Sequence, residues 1–387
     1  MAQGAYIGVN GKARKIVGGY VGVSGKARKI VKAYIGIGGV ARPCWNATKE
    51  LTYYGAITSL PTGIANLAAT TVGNYALFGG GNLVSTSPTN YVNAYSKYLT
   101  RSTPNPLMYA RYNLAATAVG DYALFGGGQV SAGTSLDSVD AYNTSLTKST
   151  PTALGMAKFN LAATTVGDYA LFGGGQASAS GYTSTVNAYN KSLTRSTPSS
   201  NLGYSAGMLA ATSVGDYALF GGGYGAGTPA EQDTVVAYNK SLTKSTPTAL
   251  SVARHSLAAA TVGDYAIFYG GLSDLPDATK LTLDIYDKSL TKLDRSAYIN
   301  LYIQGEGMAA TSLEDYVLFG GGKLSDGSVL SHVWAFDSSL TIQTVPAFLS
   351  VGRYNLAAAT VGNYAIFAGG QTDASTYSNV AEAYTVS

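Results

Sequence analysis

A phrase close to NLAATTVGDYALFGGG returns seven times along the chain, and that repetition constrains the fold more than any other feature. Its copies begin at Asn66, Asn113, Asn160, Met208, Ser256, Gly307 and Asn355. Their central tyrosines, Tyr75, Tyr122, Tyr169, Tyr217, Tyr265, Tyr316 and Tyr364, recur about every 48 residues. Each copy holds an alanine-rich run, a Val-Gly-Asp or Val-Gly-Asn turn in most cases, and a second apolar run that ends in glycines. Two short apolar runs about such a turn predict a β-hairpin. Small side chains suit a first strand crowded against a central axis, and the glycines permit positive φ and close backbone approach. A variable loop leads to a third run such as SVDAY or TVNAY, closing on Tyr95, Tyr142, Tyr189, Tyr238, Tyr286, Phe336 or Tyr384. Segments related to NKSLTKSTP then predict a tight turn and a short outer strand.

Four short strands per period describe one blade of a β-propeller, so the expected fold is all-β with seven blades. A β-sandwich would not repeat its sequence so faithfully, and a solenoid would need atypical capping repeats at both ends. The last copy stops after its third strand. Residues 50–61 are placed to supply the missing outer strand from the other end of the chain, which removes two raw sheet edges. The expected domains are therefore a segment 1–45 and a propeller 46–387.

The paired glycines, the third-strand aromatic and the variable return to the first strand resemble the kelch family over residues 50–387. An arginine before the first strand, part of that resemblance, stands at Arg111, Arg254 and Arg353, with Lys158 in its place in one copy. The family's outer-strand tryptophan is replaced by Ser/Thr-rich segments such as TRSTP.

Residues 4–45 carry a shorter repeat: AYIGVNGKARKIVG, GYVGVSGKARKIVK and AYIGIGGVARPCW. Each unit predicts a β-hairpin turning at Asn10-Gly11, Ser24-Gly25 or Gly38-Gly39. So little core calls for a partner surface to order it. The charge is lopsided. Of 25 basic residues, eight lie in residues 1–44 with no acid, leaving 17 basic against 21 acidic residues in the remainder. Tyr6, Lys12, Arg14, Lys15, Tyr20, Lys26, Arg28, Lys29, Tyr34 and Arg42 are the candidate anchor residues. A basic head suits an acidic protein, an anionic polymer or nucleic acid, but no standard DNA-binding motif is present. The stretches Tyr6–Val17, Tyr20–Val31 and Tyr34–Trp45 resemble N-terminal repeats of tail- or baseplate-associated proteins of phages infecting Gram-positive bacteria. That resemblance implies attachment to other virion subunits, with the propeller facing outward.

Composition narrows the chemistry. One cysteine, Cys44, excludes an intrachain disulfide and a thiolate-rich metal site. The first residues lack the apolar core of a signal peptide, and no apolar run reaches transmembrane length. The expected location is a virion or other extracellular particle, with synthesis in the bacterial cytoplasm. No cofactor or metal is expected.

The loops joining strands two and three, 82–90, 129–138, 176–184, 224–234, 272–281, 323–332 and 371–378, vary while the turns at the opposite ends of the strands are nearly constant. Variable loops on a rigid scaffold are the usual place for binding residues. The segments approaching the first strands add Tyr109, Arg111, Tyr112, Lys158, Phe159, Tyr204, Arg254, His255, Tyr302, Arg353 and Tyr354 as ligand-binding candidates. Tyr and Arg there suit stacking on sugars and bonding to their hydroxyls, and packing between blades is the competing role. The expected function is a virion structural protein that binds a host-surface glycan or protein. A purely structural decoration component and a glycan-processing enzyme are the alternatives. For the enzyme, Asp140, Asp284 and Glu306 are the nominated carboxylates, and nothing in their spacing brings two together.

Overall fold

The computed structural model describes residues 50–387 apart from 84–86, 178–180, 227–229, 274–282, 295–304, 344 and 346; before Glu50 it describes the backbone of six strands. Two compact units emerge, Met1–Leu51 with Ser387, and Thr52–Val386. In the smaller unit Tyr6–Val9 pairs with Lys12–Lys15, Gly19–Val23 with Lys26–Ile30, and Lys32–Ile37 with Val40–Asn46, all antiparallel. The third pair shifts register between Ala33 and Tyr34. The three turns expected between these strands lie outside the described residues.

The larger unit is a seven-bladed β-propeller. Its inner strands are Ala68–Val72, Ala115–Val119, Ala162–Val166, Ala210–Val214, Ala258–Val262, Ala309–Leu313 and Ala357–Val361. Each packs beside the next, and the seventh packs beside the first. Every blade runs inner, second, third and outer strand in antiparallel order. In blade five the described sheet has three strands, with a single bridge from Tyr286 to Lys292 beyond them. In blade seven the order is Ala357–Val361, Tyr364–Ala368, Ala381–Val386 and then Leu51–Ala56.

The repeat phrase explains this packing. Second strands such as Tyr122–Gly126 are buried on both faces, so they read as unbroken apolar runs. The second-strand phenylalanine meets the third-strand tyrosine of its own blade edge-on, as in Phe125–Tyr142 at 6.0 Å and Phe172–Tyr189 at 5.9 Å. The same phenylalanine lies against the glycine that ends the second strand of the preceding blade. A Cβ on Gly126 would sit 2.8 Å from the ring of Phe172. Glycine is needed there for close approach between blades.

Each third-strand tyrosine hydroxyl donates to a carbonyl in the segment entering its blade: Tyr95 to Thr58, Tyr142 to Asn105, Tyr189 to Thr152, Tyr238 to Ser200, Tyr286 to Thr248 and Tyr384 to Ala347, at 2.7–2.9 Å. Burial pushes the Tyr142 hydroxyl's pKa well up, with the Asp140 charge adding to it, so the hydroxyl stays a donor. Blade six has Phe336 at this position.

Candidate functional site: an axial well on the variable-loop face

The first residue of each repeat phrase adopts a left-handed backbone: Asn66, Asn113, Asn160, Met208, Ser256 and Asn355 have φ of 51–56°, and Gly307 has φ 67°. Asparagine tolerates this region better than most residues because its short amide bonds locally. The conformation turns each N–H toward the neighbouring blade. Asn66 donates to Asn355 O, Asn113 to Asn66 O, Asn160 to Asn113 O, Met208 to Asn160 O, Ser256 to Met208 O and Asn355 to Gly307 O. A belt of backbone hydrogen bonds thus surrounds the axis where the inner strands begin, on the face that carries the variable loops.

Inside this belt lies a well of about 300 Å³ lined by Asn66, Asn113, Asn160, Ser256, Glu306 and Asn355, with leucines beneath. Glu306 is its only charged lining residue among the described residues. Three of the asparagines are held from behind: Asn66 donates to Asn82 at 3.0 Å, Asn160 to Gln176 at 2.7 Å and Asn355 to Gln371 at 3.1 Å.

The next residues outward form a collar. Short bridges join Tyr112 to Gln129, Phe159 to Gln176, Gly207 to Tyr224, His255 to Leu272 and Tyr354 to Gln371, and two of them continue to Tyr182 and Tyr377. Tyr182 and Tyr224 lie 6.1 Å apart, Tyr224 and His255 5.3 Å, and the Lys323 ammonium 5.3 Å from the Tyr354 ring centre. Asn82 donates to the Tyr377 hydroxyl. Aromatic or imidazole residues from five blades therefore sit in segments that adjoin the well's lining residues, and none of them is itself a lining residue.

The sequence-nominated residues divide on this geometry. Tyr112 and His255 are half-exposed members of the collar, while Phe159 and Tyr354 are nearly buried in it. Tyr109 is exposed on the approach to blade two. Tyr204 donates its hydroxyl to Gly222 O at 3.2 Å, and burial pushes its pKa well up, which makes it a packing residue. Tyr302 lies outside the described residues. The anchor residues lie on the strands of the smaller unit, with Tyr6 opposite Lys15, Tyr20 opposite Lys29 and Ile35 opposite Arg42.

The four cations require a correction. Arg111, Lys158, Arg254 and Arg353 have no exposed surface, so they are not presented to a ligand. Arg111 pairs with Asp140 at 2.8 Å, Arg254 with Asp284 at 2.8 Å, and Arg353 with Glu382, all fully buried. The acid is the second residue of the same blade's third strand. Backbone amides complete each carboxylate shell: Met108 N donates to Asp140, Ser251 N to Asp284 and Ser350 N to Glu382. Burial pushes the Asp284 carboxyl up, but Arg254 and Lys292 more than offset this and hold it below the usual range. Asp140 and Asp284 are therefore occupied in separate blades, and Glu306 is the one nominated carboxylate in the well.

Lys158 has Asn187 where blades two, five and seven have an acid. Its ammonium is bonded to Phe172 O, Thr185 O and Thr185 Oγ1 at 3.1–3.3 Å, and burial lowers its pKa to about 7.

Tyr182, Tyr224 and Tyr377 were not singled out from the sequence, although a signal exists: Tyr224 directly follows its blade's glycines, and Tyr182 and Tyr377 each lie six residues after the glutamine that follows theirs. The asparagines were legible: they open four of the seven repeat phrases. Among the described residues no group of three or more His, Cys, Asp or Glu is placed to hold a metal ion, and no helix is long and apolar enough to cross a membrane. No protein-family model and no curated protein matches the chain.

Proposed function

We propose that this chain is a glycan-binding propeller of the kelch type, carried on a virion surface by its basic N-terminal hairpins. The observation that carries the binding reading is a set of bridged segments bearing Tyr112, Tyr182, Tyr224, His255, Tyr354 and Tyr377, which adjoin, in sequence or through their bridges, the residues that line the axial well. Aromatic faces pack against the C–H faces of a sugar ring, while fixed amides orient its hydroxyls, the usual division of labour in a small-ligand site. Among the described lining residues Glu306 is the single carboxylate, with no second acid paired to it, which favours binding over hydrolysis.

Attachment rests on the sequence: a tyrosine-spaced repeat with eight cations and no acid, resembling the N-terminal repeats of phage tail proteins. The kelch assignment rests on the glycine pair, the third-strand aromatic and the residue before the inner strand.

The test is a glycan array probed with the full chain and with a Tyr112→Ala/Tyr224→Ala variant. Saturable binding of at least one glycan by the parent that the variant loses supports the reading. Binding by neither, with the variable face covered by neighbouring subunits in an intact particle, identifies a decoration component instead.

A further inference from the structure

A second cavity, larger than the axial well, lies apart from it. It is a groove of about 650 Å³ on blade one, walled by Pro61, Pro104 and Pro106, with Tyr91 and Asn105 among its lining residues. Its origin lies in what blade one has lost. Blades two, five and seven fill the corresponding region with an ion pair and a backbone donor to the acid. In blade one the arginine position is Ile64, the acid position is Asn93, and the donor's position is Pro61, which has no N–H.

A second change follows. In blades two, three and five the outer-strand cation reaches across to the entering segment: Lys148 donates to Pro106 O, Arg195 to Ala153 O and Lys292 to Ala249 O, at 2.7–2.8 Å. Blade one's Arg101 turns inward to Asn93 Oδ1 at 2.9 Å.

The lining chemistry selects a ligand class. Tyr91 is 46% exposed, a position held by Ser138, Thr185 or Thr234 in blades two to four. Asn90, Asn105, Thr62 and Thr103 are among the lining residues, and none of the described lining residues carries a charge. Proline walls leave little entropy to lose on binding. We propose that this groove is a carbohydrate subsite for a neutral oligosaccharide, with one pyranose face on Tyr91. The volume falls in the range of pre-formed ligand pockets, and an acidic polymer would find no cation among the lining residues.

The proposal does not depend on the axial well, and the test separates the two. The full chain and its Tyr91→Ala, Asn105→Ala and Tyr112→Ala/Tyr224→Ala variants are titrated calorimetrically with neutral oligosaccharides of two to six residues. A polyglycerol phosphate and a proline-rich peptide serve as contrasting probes. Circular dichroism checks folding, which a change at the exposed Tyr91 leaves intact. The expected result is neutral-sugar binding weakened at least tenfold by Tyr91→Ala, reduced by Asn105→Ala and retained by the Tyr112/Tyr224 variant. Neutral-sugar binding unaffected by Tyr91→Ala overturns the proposal, as does binding only of the anionic polymer or the peptide, or of none of the three. Loss in the Tyr112/Tyr224 variant alone overturns the groove and leaves the axial reading standing.

Discussion

Consider removing the acid from one buried pair, Asp140→Val. Asp140 accepts from the Arg111 guanidinium at 2.8 Å and from the Met108 amide, and Lys148 stands 3.5 Å away. Without it, Arg111 remains fully buried, with only Ser138 and the Phe125 carbonyl as acceptors. An uncompensated charge in that setting costs about 3–5 kcal/mol. Arg111→Ala is milder, because Lys148, partly exposed, remains beside the carboxylate; the expected cost is about 2–3 kcal/mol, set by one lost charged hydrogen bond and a cavity. The double variant Arg111→Ala/Asp140→Val copies blade four, which carries Ala206 and Val236 at these positions. There Tyr204, two residues before Ala206, bonds Gly222 O, and Tyr109 occupies the same offset in blade two, exposed and able to fold in. The double variant should therefore fall within about 1–2 kcal/mol of the parent, leaving a coupling energy of at least about 2 kcal/mol. Urea unfolding of the parent, both single variants and the double variant measures this directly. A cost below about 1 kcal/mol for Asp140→Val, or single-variant costs that simply add, refutes the argument that blades carry the pair or its apolar replacement as a unit.

Lys158 provides a pH signature. Its pKa is about 7 when folded and near its usual value of about 10.5 when unfolded, so between those limits the unfolded chain holds the extra proton. Stability should therefore rise from pH 7 to pH 9 by about 2–3 kcal/mol from this residue, and a Lys158→Met variant should lack that rise in urea titrations at the two pH values. Lys158→Arg/Asn187→Asp installs the arrangement of blades two, five and seven and satisfies the buried Asn187 Oδ1, which has no partner. Its unfolding midpoint should exceed that of Asn187→Ala. Tyr142→Phe removes the hydrogen bond to Asn105 O and should cost about 1 kcal/mol by urea unfolding, a loss that blade six accepts with Phe336. Deleting residues 1–56 leaves Ala381–Val386 as an open edge, and sedimentation should show self-association absent from the full chain.

How much of this was legible depends on whether a residue's role is local. The seven-bladed propeller followed from the repeat because its phrase encodes two strands, their turn and the inter-blade glycine within sixteen or so consecutive residues. The role of Arg111 is not local. Read alone, an arginine beside tyrosines before an inner strand suits a sugar site as well as a core. Its partner stands 29 positions on, and the pairing shows only when copies are compared within the chain: Arg with Asp or Glu in blades two, five and seven, Ala206 with Val236 in blade four, Gly305 with Trp334 in blade six. Tyr182, Tyr224 and Tyr377 also hold matched positions, Tyr224 directly after its glycines and the other two six residues after a glutamine, but their bridges to the segments before the inner strands show only in the folded ring.

The same comparison explains why the blades differ where they do. At the position of the inter-blade glycine, blade five has Tyr269, whose ring lies 5.2 Å from Phe319 and 5.9 Å from Trp334. Space that glycine leaves for a neighbour's phenylalanine is here filled from both sides. Blade six adjusts with Gly305 in place of the arginine, Trp334 in place of the acid and Phe336 in place of the tyrosine. A buried arginine beside these rings would leave its charge without an acid, so charge and counter-charge were exchanged together for an aromatic cluster. In blade one the exchange stopped short of filling: Ile64 and Asn93 removed the charges, Pro61 removed the donor, and the groove beside Tyr91 remains. An interface that must pack tightly has one blade completing what the other lacks, whereas a region open to solvent can keep its vacancy. The proposed sugar subsite occupies the second kind of place, which is why it arises in one blade and not in seven.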